Sequence, residues 1–322
     1  MAAHPVRPTM PTHRAPNVFA GPYVDRSSGL RKDPAWLAAA ISDGNSRFVP
    51  LWQQRNLLRL EPEPAAVLLS ASALAPLGDT EVVLLGLFRG VACFAIEVQS
   101  EVPPAPGTEY ADLRTSGALL PADEAGLLAY ARAMLYWRQR HRHCGACGAP
   151  TRAECGGHVM TCSAADCALQ SFPRIDPAII VLVSDGERAL LGRQASWPPG
   201  RYSTIAGFVE PGESLEDAVA REVREETSIE VDEVDYHSSQ PWPFPSSLMV
   251  GFRAHATTLE ISCPDGELED ARWFSPAELA AGTPALPPPQ SISFRLIADW
   301  YRRATGRELA AEPGARLWPR SR

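Results

Sequence analysis

Several features are missing from this sequence, and each absence excludes a class of protein. No apolar run approaches the roughly 20 residues of a membrane-spanning helix, so we expect no membrane insertion. Residues 1–24 contain two Arg and no acidic residue, but they lack the apolar core of a secretory signal. The formal net charge of -8 excludes a broad basic surface for nucleic acid, while leaving room for a local anion site. No internal repeat is apparent, which excludes a solenoid.

The length and composition are those of a globular protein with more than one domain. The chain has 322 residues and is 45% hydrophobic, which is enough for two or three cores. We predict a cytoplasmic protein with a disordered tail at residues 1–25, because that stretch is rich in Pro and has no apolar pattern. A transit peptide is the alternative interpretation of this stretch.

Four of the seven Cys residues have the spacing of metal ligands. Cys144 and Cys147 form one short-spaced pair, and Cys162 and Cys167 form a second pair after an insert of fourteen residues. This pattern is typical of a tetrahedral zinc ribbon, and four thiolates leave no open coordination position. We therefore predict one structural Zn²⁺. Four side chains nearby are alternative ligands, although a helix end or a turn explains the histidines: Cys155, His141, His143 and His158.

A helix with an acidic stripe is predicted after Ser214, which is a suitable N-cap with Asp217 three residues later. At 100° per residue, an apolar stripe continues into three glutamates on the same side. Arg221 and Arg224 fall on the other side, which resembles an ordinary solvated face. The stripe comprises Leu215, Ala218 and Val219, and the glutamates are Glu222, Glu225 and Glu226.

Inward-facing carboxylates need a counter-charge, because desolvation and mutual repulsion raise their pKa values. Ligands that are all oxygen favour Mg²⁺ or Mn²⁺, which also bridge to substrate phosphates. We therefore predict a divalent-cation site on this helix. The alternative is an acidic helix end that faces solvent and binds nothing.

The helix lies within a longer pattern, Gly207-x₅-Glu213-x₇-Arg221-Glu-Val-x-Glu-Glu-x-Ser228-Ile229, which resembles the Nudix box. Every position matches except the second Gly of the box, which is Ser228 here. The resemblance implies an α/β/α sandwich, with Glu225 as the candidate base and with Glu213 and Arg221 in structural support. Glu269 lies only two residues from Glu267, so the sequence leaves open which of the two is the third acidic ligand. The implied ligands of the catalytic metals are the main-chain carbonyl of Ala206 and the carboxylates of Glu222, Glu226 and Glu267.

A second motif, Ser-Gln-Pro-Trp-Pro-Phe-Pro-Ser-Ser at residues 239–247, resembles the signature of the NADH pyrophosphatase branch of Nudix enzymes. Leu286–Pro289, together with Ser291 and Ile292, resembles the C-terminal loop of the same branch. Residues 286–289 are called the C-terminal loop below. The branch implies a homodimer that hydrolyses NAD(H) and NAD-capped RNA 5′ ends, with Phe172 reaching across the dimer interface. The implied substrate-binding residues are Phe172, Phe208, Gln240, Pro241, Trp242, Pro243, Phe244, Pro245, Ser246, Ser247 and Ser293.

Apolar patterns elsewhere predict the supporting elements. They indicate a hairpin over 82–98, a helix over 122–142, strands at 178–183, 188–191, 201–206, 231–236 and 248–257, and a last helix over 291–303. The predicted fold class is α+β, with a Nudix sandwich preceded by a zinc ribbon and a mixed α/β N-terminal domain. The predicted boundaries are 1–25 for the tail, 26–140 for the N-terminal domain, 141–172 for the zinc ribbon, 173–312 for the Nudix domain and 313–322 for a second tail.

Two other functions remain open at this point. The first is a Nudix hydrolase of another dinucleotide, such as ADP-ribose or a diadenosine polyphosphate. The second is a zinc-ribbon module that senses nucleotides without catalysis. The complete set of box residues argues against a sensor, since binding alone does not require all of them: Glu213, Arg221, Glu222, Glu225 and Glu226.

Overall fold

A computed structural model describes residues 16–73, 81–99 and 106–318. The chain divides into a first unit, which is residues 1–174 with Trp242–Ser246, and a second unit, which is Ile175–Pro241 with Ser247–Arg322. The predicted N-terminal tail lies outside the described residues as far as residue 15, whereas Val24–Asp25 form strand β1. Of the helices in the described ranges, none has both the length and the apolar character needed to span a membrane.

The first unit contains a mixed sheet and a small antiparallel sheet. Its strands are β1, β2 (Arg47–Trp52), β3 (Arg55–Arg59), β4 (Ala65–Ala66), β5 (Leu69–Ser70), β6 (Val82–Phe88), β7 (Val91–Glu97), β8 (Thr108–Ala111), β9 (Thr151–Glu154), β10 (Val159–Cys162) and β11 (Gln170–Ser171). The larger sheet has the order β1-β6-β7-β2-β3-β4, with β5 beside β2 and β8 beside β3. β6 and β7 form the predicted hairpin, and β7 pairs in parallel with β2. β9, β10 and β11 form the antiparallel sheet of the cysteine-rich segment.

Three helices of the first unit support the larger sheet: α1 (Pro34–Ser42), α2 (Leu113–Ser116) and α3 (Ala122–Arg140). α1 begins at Asp33, whose carboxylate accepts a hydrogen bond from the backbone N–H of Trp36, with Pro34 at the first helical position. α3 is the predicted helix, and its residues Leu127, Ala131 and Met134 are buried in the core of this unit, as their spacing predicts.

The second unit is a sheet between two helical layers. Its strands are β12 (Asp176–Ser184), β13 (Ala189–Arg193), β14 (Ile205–Phe208), β15 (Val231–Trp242), β16 (Ser247–Ala256) and β17 (Asp270–Phe274), and its helices are α4 (Leu215–Thr227), α5 (Pro276–Ala280) and α6 (Ile292–Thr305). The strand order is β15-β16-β12-β13-β17, with β14 beside β12. β12 and β16 run in parallel, whereas β12 pairs antiparallel with β13 and with β14, and β13 pairs antiparallel with β17.

Alternation along β12 explains the two helical layers. Ile179 and Val181 point into a core with Val219 and Val223 of α4, whereas Ile180 and Leu182 belong to a core with α6. Successive side chains of a strand face opposite sides of a sheet, so one apolar run serves both layers. The predicted α/β/α sandwich is confirmed. The strand predicted at 201–206 is displaced: only Ile205–Phe208 join the sheet, and residues 201 and 203 form isolated bridges.

Local chemistry sets both ends of α4. The Ser214 side chain accepts from the backbone N–H of Asp217, and the Asp217 carboxylate accepts from the backbone N–H of Ser214, which completes the predicted capping box. The helix ends at Ser228, which has φ 60° and ψ 14° and donates its N–H to the carbonyl of Arg224. This left-handed conformation disfavours residues with a Cβ, which accounts for the Gly that the Nudix box has at this position.

We expect Ser228→Gly to stabilise the protein by about 1 kcal/mol, because Gly adopts the left-handed conformation without the steric penalty of a Cβ. The measurement is the free energy of unfolding in urea. Ser228→Ala is the matched control, since it removes the hydroxyl but keeps the Cβ, and it should give no such gain. A Gly variant no more stable than the Ala variant would contradict the assignment of strain to this position.

Candidate functional site

The acidic stripe of α4 holds two buried carboxylates. Glu222 and Glu226 are only 9% and 4% exposed, whereas the Glu225 side chain is 50% exposed. The expectation that all three glutamates face inward is therefore wrong for Glu225, because it lies 100° from Glu226 at the edge of the stripe. The inward face thus carries a pair of carboxylates, with Glu225 beside them.

Gly207 makes room for the Glu222 carboxylate. A Cβ built on Gly207 would lie 1.9 Å from the carboxyl carbon of Glu222. Any other residue would push this carboxylate away from strand β14, which also carries Ala206. The first Gly of the box is thus a steric requirement of the site. It keeps a carboxylate beside the backbone that the resemblance assigns to metal binding.

The charges of this site repel one another. Burial raises the pKa of Glu226 to about 8, and the neighbouring charges of Glu222, Glu267 and Asp265 add to the effect. Burial also raises the pKa of Glu222, although the Arg221 guanidinium opposes this shift. Crowded oxygen ligands of this kind fit a divalent cation, which would supply the missing positive charge.

The structure distinguishes between the two acidic residues that the sequence left open. Glu267 is one of the charges acting on both Glu222 and Glu226. Glu269 instead forms an ion pair with Arg193, and its backbone N–H donates to the Arg193 carbonyl. This arrangement supports Glu267 as the third carboxylate.

Sequence reasoning missed Asp265, whose charge also acts on Glu226. Its carboxylate accepts a hydrogen bond of 3.0 Å from the backbone N–H of Glu267. The signal was available in the Asp-Gly-Glu turn that ends at Glu267. Asp265 therefore fixes the backbone of the candidate third ligand.

Arg221 ties the box together. Its guanidinium donates to Glu213 at 2.5 and 2.9 Å, to Glu222 at 2.9 Å, to Glu225 at 2.9 Å and to the carbonyl of Phe208 at 2.9 Å. The Arg221 side chain is only 17% exposed, so its predicted place on a solvated face is wrong. Its hydrogen bonds lower the pKa of Glu213 to about 2, which keeps that carboxylate ionised. The loop before α4 is thereby fastened to the helix.

Two polar residues hold the segment that follows the C-terminal loop. The Gln240 side chain is buried, donating to the carbonyl of Gln290 and accepting from the backbone N–H of Ile292, each at 2.9 Å. The Ser293 hydroxyl lies 2.9 Å from the hydroxyls of Ser203 and Thr204. Both predicted substrate residues therefore also fix the start of α6 against its neighbours.

The middle of the predicted 239–247 motif, Trp242–Ser246, belongs to the first unit, although Trp242 is also the last residue of β15. We call this segment the aromatic loop. The rings of Trp242 and Phe244 are 5.0 Å apart at 75°, and both contact the ring of Phe19. Arg132 donates to the carbonyl of Pro243 at 2.8 Å, and its guanidinium lies 5.0 Å from the Phe244 ring centroid. Arg114 also lies over both rings, at 5.6 and 5.3 Å. Sequence reasoning missed these partners, because they are more than 100 residues away.

Two further aromatic residues predicted at the site are largely uncovered. Phe172 of the first unit is 61% exposed, and Phe208 of the second unit is 59% exposed. Each ring is available to stack on a flat ligand. The remaining predicted residues of this set lie in or next to the aromatic loop: Pro241, Pro245, Ser246 and Ser247.

The four predicted zinc ligands converge. The Sγ atoms of Cys144, Cys147, Cys162 and Cys167 all lie within 4.8 Å of one another. The Cys144–Cys167 and Cys147–Cys162 separations are 3.8 and 3.5 Å. A tetrahedral site with Zn–S bonds of about 2.3 Å has S···S edges of about 3.8 Å, so the four thiols fit Zn²⁺. Backbone N–H groups, first that of Ala146, lower the pKa of the Cys144 thiol to about 7.

The alternative zinc ligands lie outside this cluster. His158 bonds through Nε2 to the carbonyl of Leu84 at 2.7 Å, and burial lowers the pKa of its imidazole to about 4. The Nδ1 of His141 lies 2.7 Å from the carbonyl of Trp137. Within the described residues, the group of potential ligands around this site consists of the four cysteines.

Comparisons with known proteins agree with this geometry. The family model of the NUDIX domain matches residues 174–296, and that of the NADH pyrophosphatase-like rudimentary NUDIX domain matches residues 45–137. The second match assigns the mixed sheet of the first unit to a degenerate form of the same fold.

Curated relatives match over most of the chain. It is 44% identical to the NAD-capped RNA hydrolase NudC of Stutzerimonas stutzeri over 71% of this chain and 81% of that protein. The NudC of Pseudomonas aeruginosa is 41% identical over 71% and 79% of the two chains. The human NAD-capped RNA hydrolase NUDT12 is 43% identical, but the match spans 57% of this chain and 43% of NUDT12. The chain therefore belongs to the Nudix hydrolases, in the NADH pyrophosphatase branch that includes these NudC proteins.

Proposed function

We propose that this enzyme hydrolyses the pyrophosphate bond of NAD(H), giving nicotinamide mononucleotide and adenosine monophosphate. We further propose that it removes the NAD cap from RNA and leaves a 5′-monophosphate end. The observation that carries the chemistry is the buried pair Glu222 and Glu226 beside Gly207. The Ser-Gln-Pro-Trp-Pro-Phe-Pro-Ser-Ser motif and the NudC relatives support the choice of substrate.

The candidate ligands of Mg²⁺ or Mn²⁺ are Glu222, Glu226 and Glu267, with the carbonyl of Ala206. A divalent cation held there supplies Lewis-acid chemistry, neutralising the phosphates and lowering the pKa of an attacking water. Burial, and then the neighbouring carboxylates, raise the pKa of Glu226, and a cation held by these ligands would offset both effects.

The remaining box residues position other groups or transfer a proton. Glu225 is half exposed beside the metal ligands, so it can reach a water at the substrate, and we assign it as the base or water-positioning group. Arg221 restrains Glu225 and Glu222 together through hydrogen bonds of 2.9 Å. Glu213 fixes Arg221 in turn. Their roles are positional.

Flat rings of the substrate call for aromatic partners. Trp242 and Phe244 form a rigid pair, since their loop contains Pro243 and Pro245 and packs on Phe19. A preorganised loop loses less conformational entropy when a ligand binds. We assign this loop of the first unit to recognition of the dinucleotide. The exposed ring of Phe208, in the second unit, is a separate candidate for stacking on the substrate.

Product analysis tests the proposed function. Purified enzyme with Mg²⁺ or Mn²⁺ is incubated separately with NADH, ADP-ribose and NAD-capped RNA. We expect nicotinamide mononucleotide and adenosine monophosphate from NADH, and 5′-monophosphate RNA from capped RNA. Efficient cleavage of ADP-ribose without cleavage of NADH would show that the enzyme acts on another class of Nudix substrate. Absence of turnover on all three would favour a nucleotide sensor.

We expect Trp242→Ala to lower kcat/KM on NADH and on NAD-capped RNA by the same factor. Both substrates contain the same dinucleotide unit, and losing one base stack costs roughly 1 to 3 kcal/mol. The measurement is the ratio of kcat/KM between mutant and wild type on each substrate. Phe19→Leu is the control for loop packing, because Phe19 contacts the Trp242 ring, and it should cause a smaller loss. A loss on one substrate only would contradict recognition of the shared unit.

We also infer a homodimer in the cytoplasm. The exposed Phe172 ring supports a dimer, in which the resemblance places this ring across the interface. Free thiols clustered as metal ligands support a reducing compartment. Sedimentation velocity of the full chain tests the dimer.

A further inference from the structure

Two tryptophans of the second unit lie outside its cores. Trp197 follows β13, and Trp318 is the last described residue. Their ring centroids are 4.9 Å apart at 60°, and both residues are partly exposed. By contrast, Trp273 and Trp300 of the same unit pack against its two hydrophobic cores, and neither Trp197 nor Trp318 is part of a core cluster formed by the described residues. The core thus accounts for one pair of tryptophans and leaves the other pair at the surface.

Two arginines complete this surface, which we call the Trp–Arg patch: Trp197, Arg201, Arg316 and Trp318. The Arg201 guanidinium lies 5.8 Å from the centroid of the Trp318 ring. Arg316 is exposed two residues before Trp318. Across the described ranges neither arginine has an ion-pair partner, in contrast to Arg193, which pairs with Glu269. The patch therefore combines aromatic rings with unneutralised positive charge on a protein of net charge -8.

Backbone hydrogen bonds fasten the patch to the base of the C-terminal loop. Leu286 donates to the carbonyl of Arg316 and accepts from the N–H of Trp318, each at 2.8 Å. The indole N–H of Trp318 donates to the carbonyl of Ala285 at 2.9 Å, and Arg201 forms an isolated bridge with Ala285. The Trp–Arg patch is consequently a fixed surface, although part of it lies near the end of the chain.

The patch is close to the candidate metal site. Arg201 precedes Ala206 by five residues, and five extended residues span at most about 18 Å. Ser203, between them, contacts the candidate substrate residue Ser293 at 2.9 Å. Arg201 therefore lies within reach of a few nucleotides of single-stranded RNA from the candidate metal site.

We propose that the Trp–Arg patch binds the first single-stranded nucleotides that follow the NAD cap of an RNA substrate. Aromatic rings stack on bases of any sequence, and unpaired arginines attract phosphates, which together are the properties of a single-strand binding surface. The proposal rests on the proposed decapping activity. It adds a contact that free NADH cannot make, since NADH ends where the RNA continues.

The test compares kcat/KM on NADH and on a short NAD-capped single-stranded RNA for Trp318→Ala and for the double variant Arg201→Gln, Arg316→Gln. We expect about a five- to tenfold loss on the RNA, equivalent to one weak stack or a pair of phosphate contacts, with NADH turnover unchanged. Trp318→Phe, which keeps a ring, should recover most of the loss. The double variant should also weaken the dependence of RNA turnover on salt.

Arg188→Gln is the matched control, because it removes a partly exposed arginine at the opposite end of β13. It should leave kcat/KM unchanged on NADH and on the RNA. An equal loss on both substrates in the patch variants would mean that the patch only supports the C-terminal loop, and no loss on RNA would mean that RNA does not touch it. Either outcome overturns the proposal. Wild-type enzyme that cleaves neither substrate would instead refute the proposed function.

Discussion

Glu226→Gln is expected to lower kcat/KM on NADH by at least about 10²-fold, which corresponds to about 2.7 kcal/mol of transition-state stabilisation. Gln keeps the size of the side chain but removes the charge that a buried divalent cation requires. Glu226 is 4% exposed, so water cannot replace the lost ligand easily. Glu216→Gln is the matched control on the solvent side of α4 and should leave kcat/KM unchanged. Turnover of Glu226→Gln near the wild-type level would refute the metal assignment.

The same variant has a second, pH-dependent readout. The folded-state pKa of Glu226 is about 8, against an ordinary value of 4.5, so the protonated carboxyl is favoured by folding. The protonated carboxyl of Glu226 therefore contributes to the free energy of unfolding fully below about pH 4.5, and this contribution is lost as the pH rises through about 8. Gln does not ionise, so the metal-free variant should gain stability relative to metal-free wild type between pH 6 and pH 9.

Unfolding midpoints at these two pH values, in buffer without Mg²⁺ or Mn²⁺ and without a chelator that would remove the zinc, measure the difference. Added Mg²⁺ or Mn²⁺ should reverse the order, because only the wild type binds the cation tightly. A variant that unfolds earlier than wild type at pH 9 without Mg²⁺ or Mn²⁺ would show that Glu226 has a structural role that the amide cannot fill. Loss of activity alone would then not identify a metal ligand.

Cys147→Ser is expected to lower the free energy of unfolding by several kcal/mol. Cys147 is exposed, and an exposed Cys that binds nothing is replaceable within about 0.5 kcal/mol. A zinc ligand is different, because structural Zn²⁺ contributes roughly 10–16 kcal/mol to the folding of zinc-finger peptides. A large loss at an exposed position is therefore a specific sign of the metal.

Elemental analysis should find one Zn²⁺ per wild-type chain and less in the variant. Cys155→Ser is the control, since Cys155 lies beside the cluster in sequence but outside it in space. It should retain the zinc and the unfolding free energy. Wild-type protein without zinc, or a Cys147→Ser protein that unfolds like the wild type but has lost its activity, would contradict a structural role.

The parts of the site that depend on neighbouring residues could be predicted from the sequence. The capping box at Ser214 and Asp217 involves residues three apart, and the left-handed Ser228 follows from its place after the helix. The four cysteines also converge as their spacing indicates. In each case the geometry is set by a few adjacent residues, so the sequence pattern contains it.

The rest depends on contacts between distant segments. Helical periodicity alone places Arg221 toward solvent, although the box resemblance leads us to expect its pairing with Glu213, which the structure contains. The bond from Arg221 to the carbonyl of Phe208 was not predicted. β17 was not predicted, because its burial does not alternate and its place depends on pairing with β13. The partners of the aromatic loop, Phe19 and Arg132, are likewise set by tertiary structure. No local pattern encodes such contacts.

The assignment of Trp242–Ser246 to the first unit has a consequence for biosynthesis. A ribosome releases residues 1–174 early, and N-terminal domains ordinarily fold as they emerge. Here five residues of that unit arrive only after Ile175–Pro241 have been made. Until then Phe19 lacks its partners Trp242 and Phe244, so this part of the core of the first unit remains incomplete. The first unit can therefore be completed only after about half of the second unit has been synthesised. Dividing the gene between residues 174 and 175 would leave the first fragment without Trp242–Ser246.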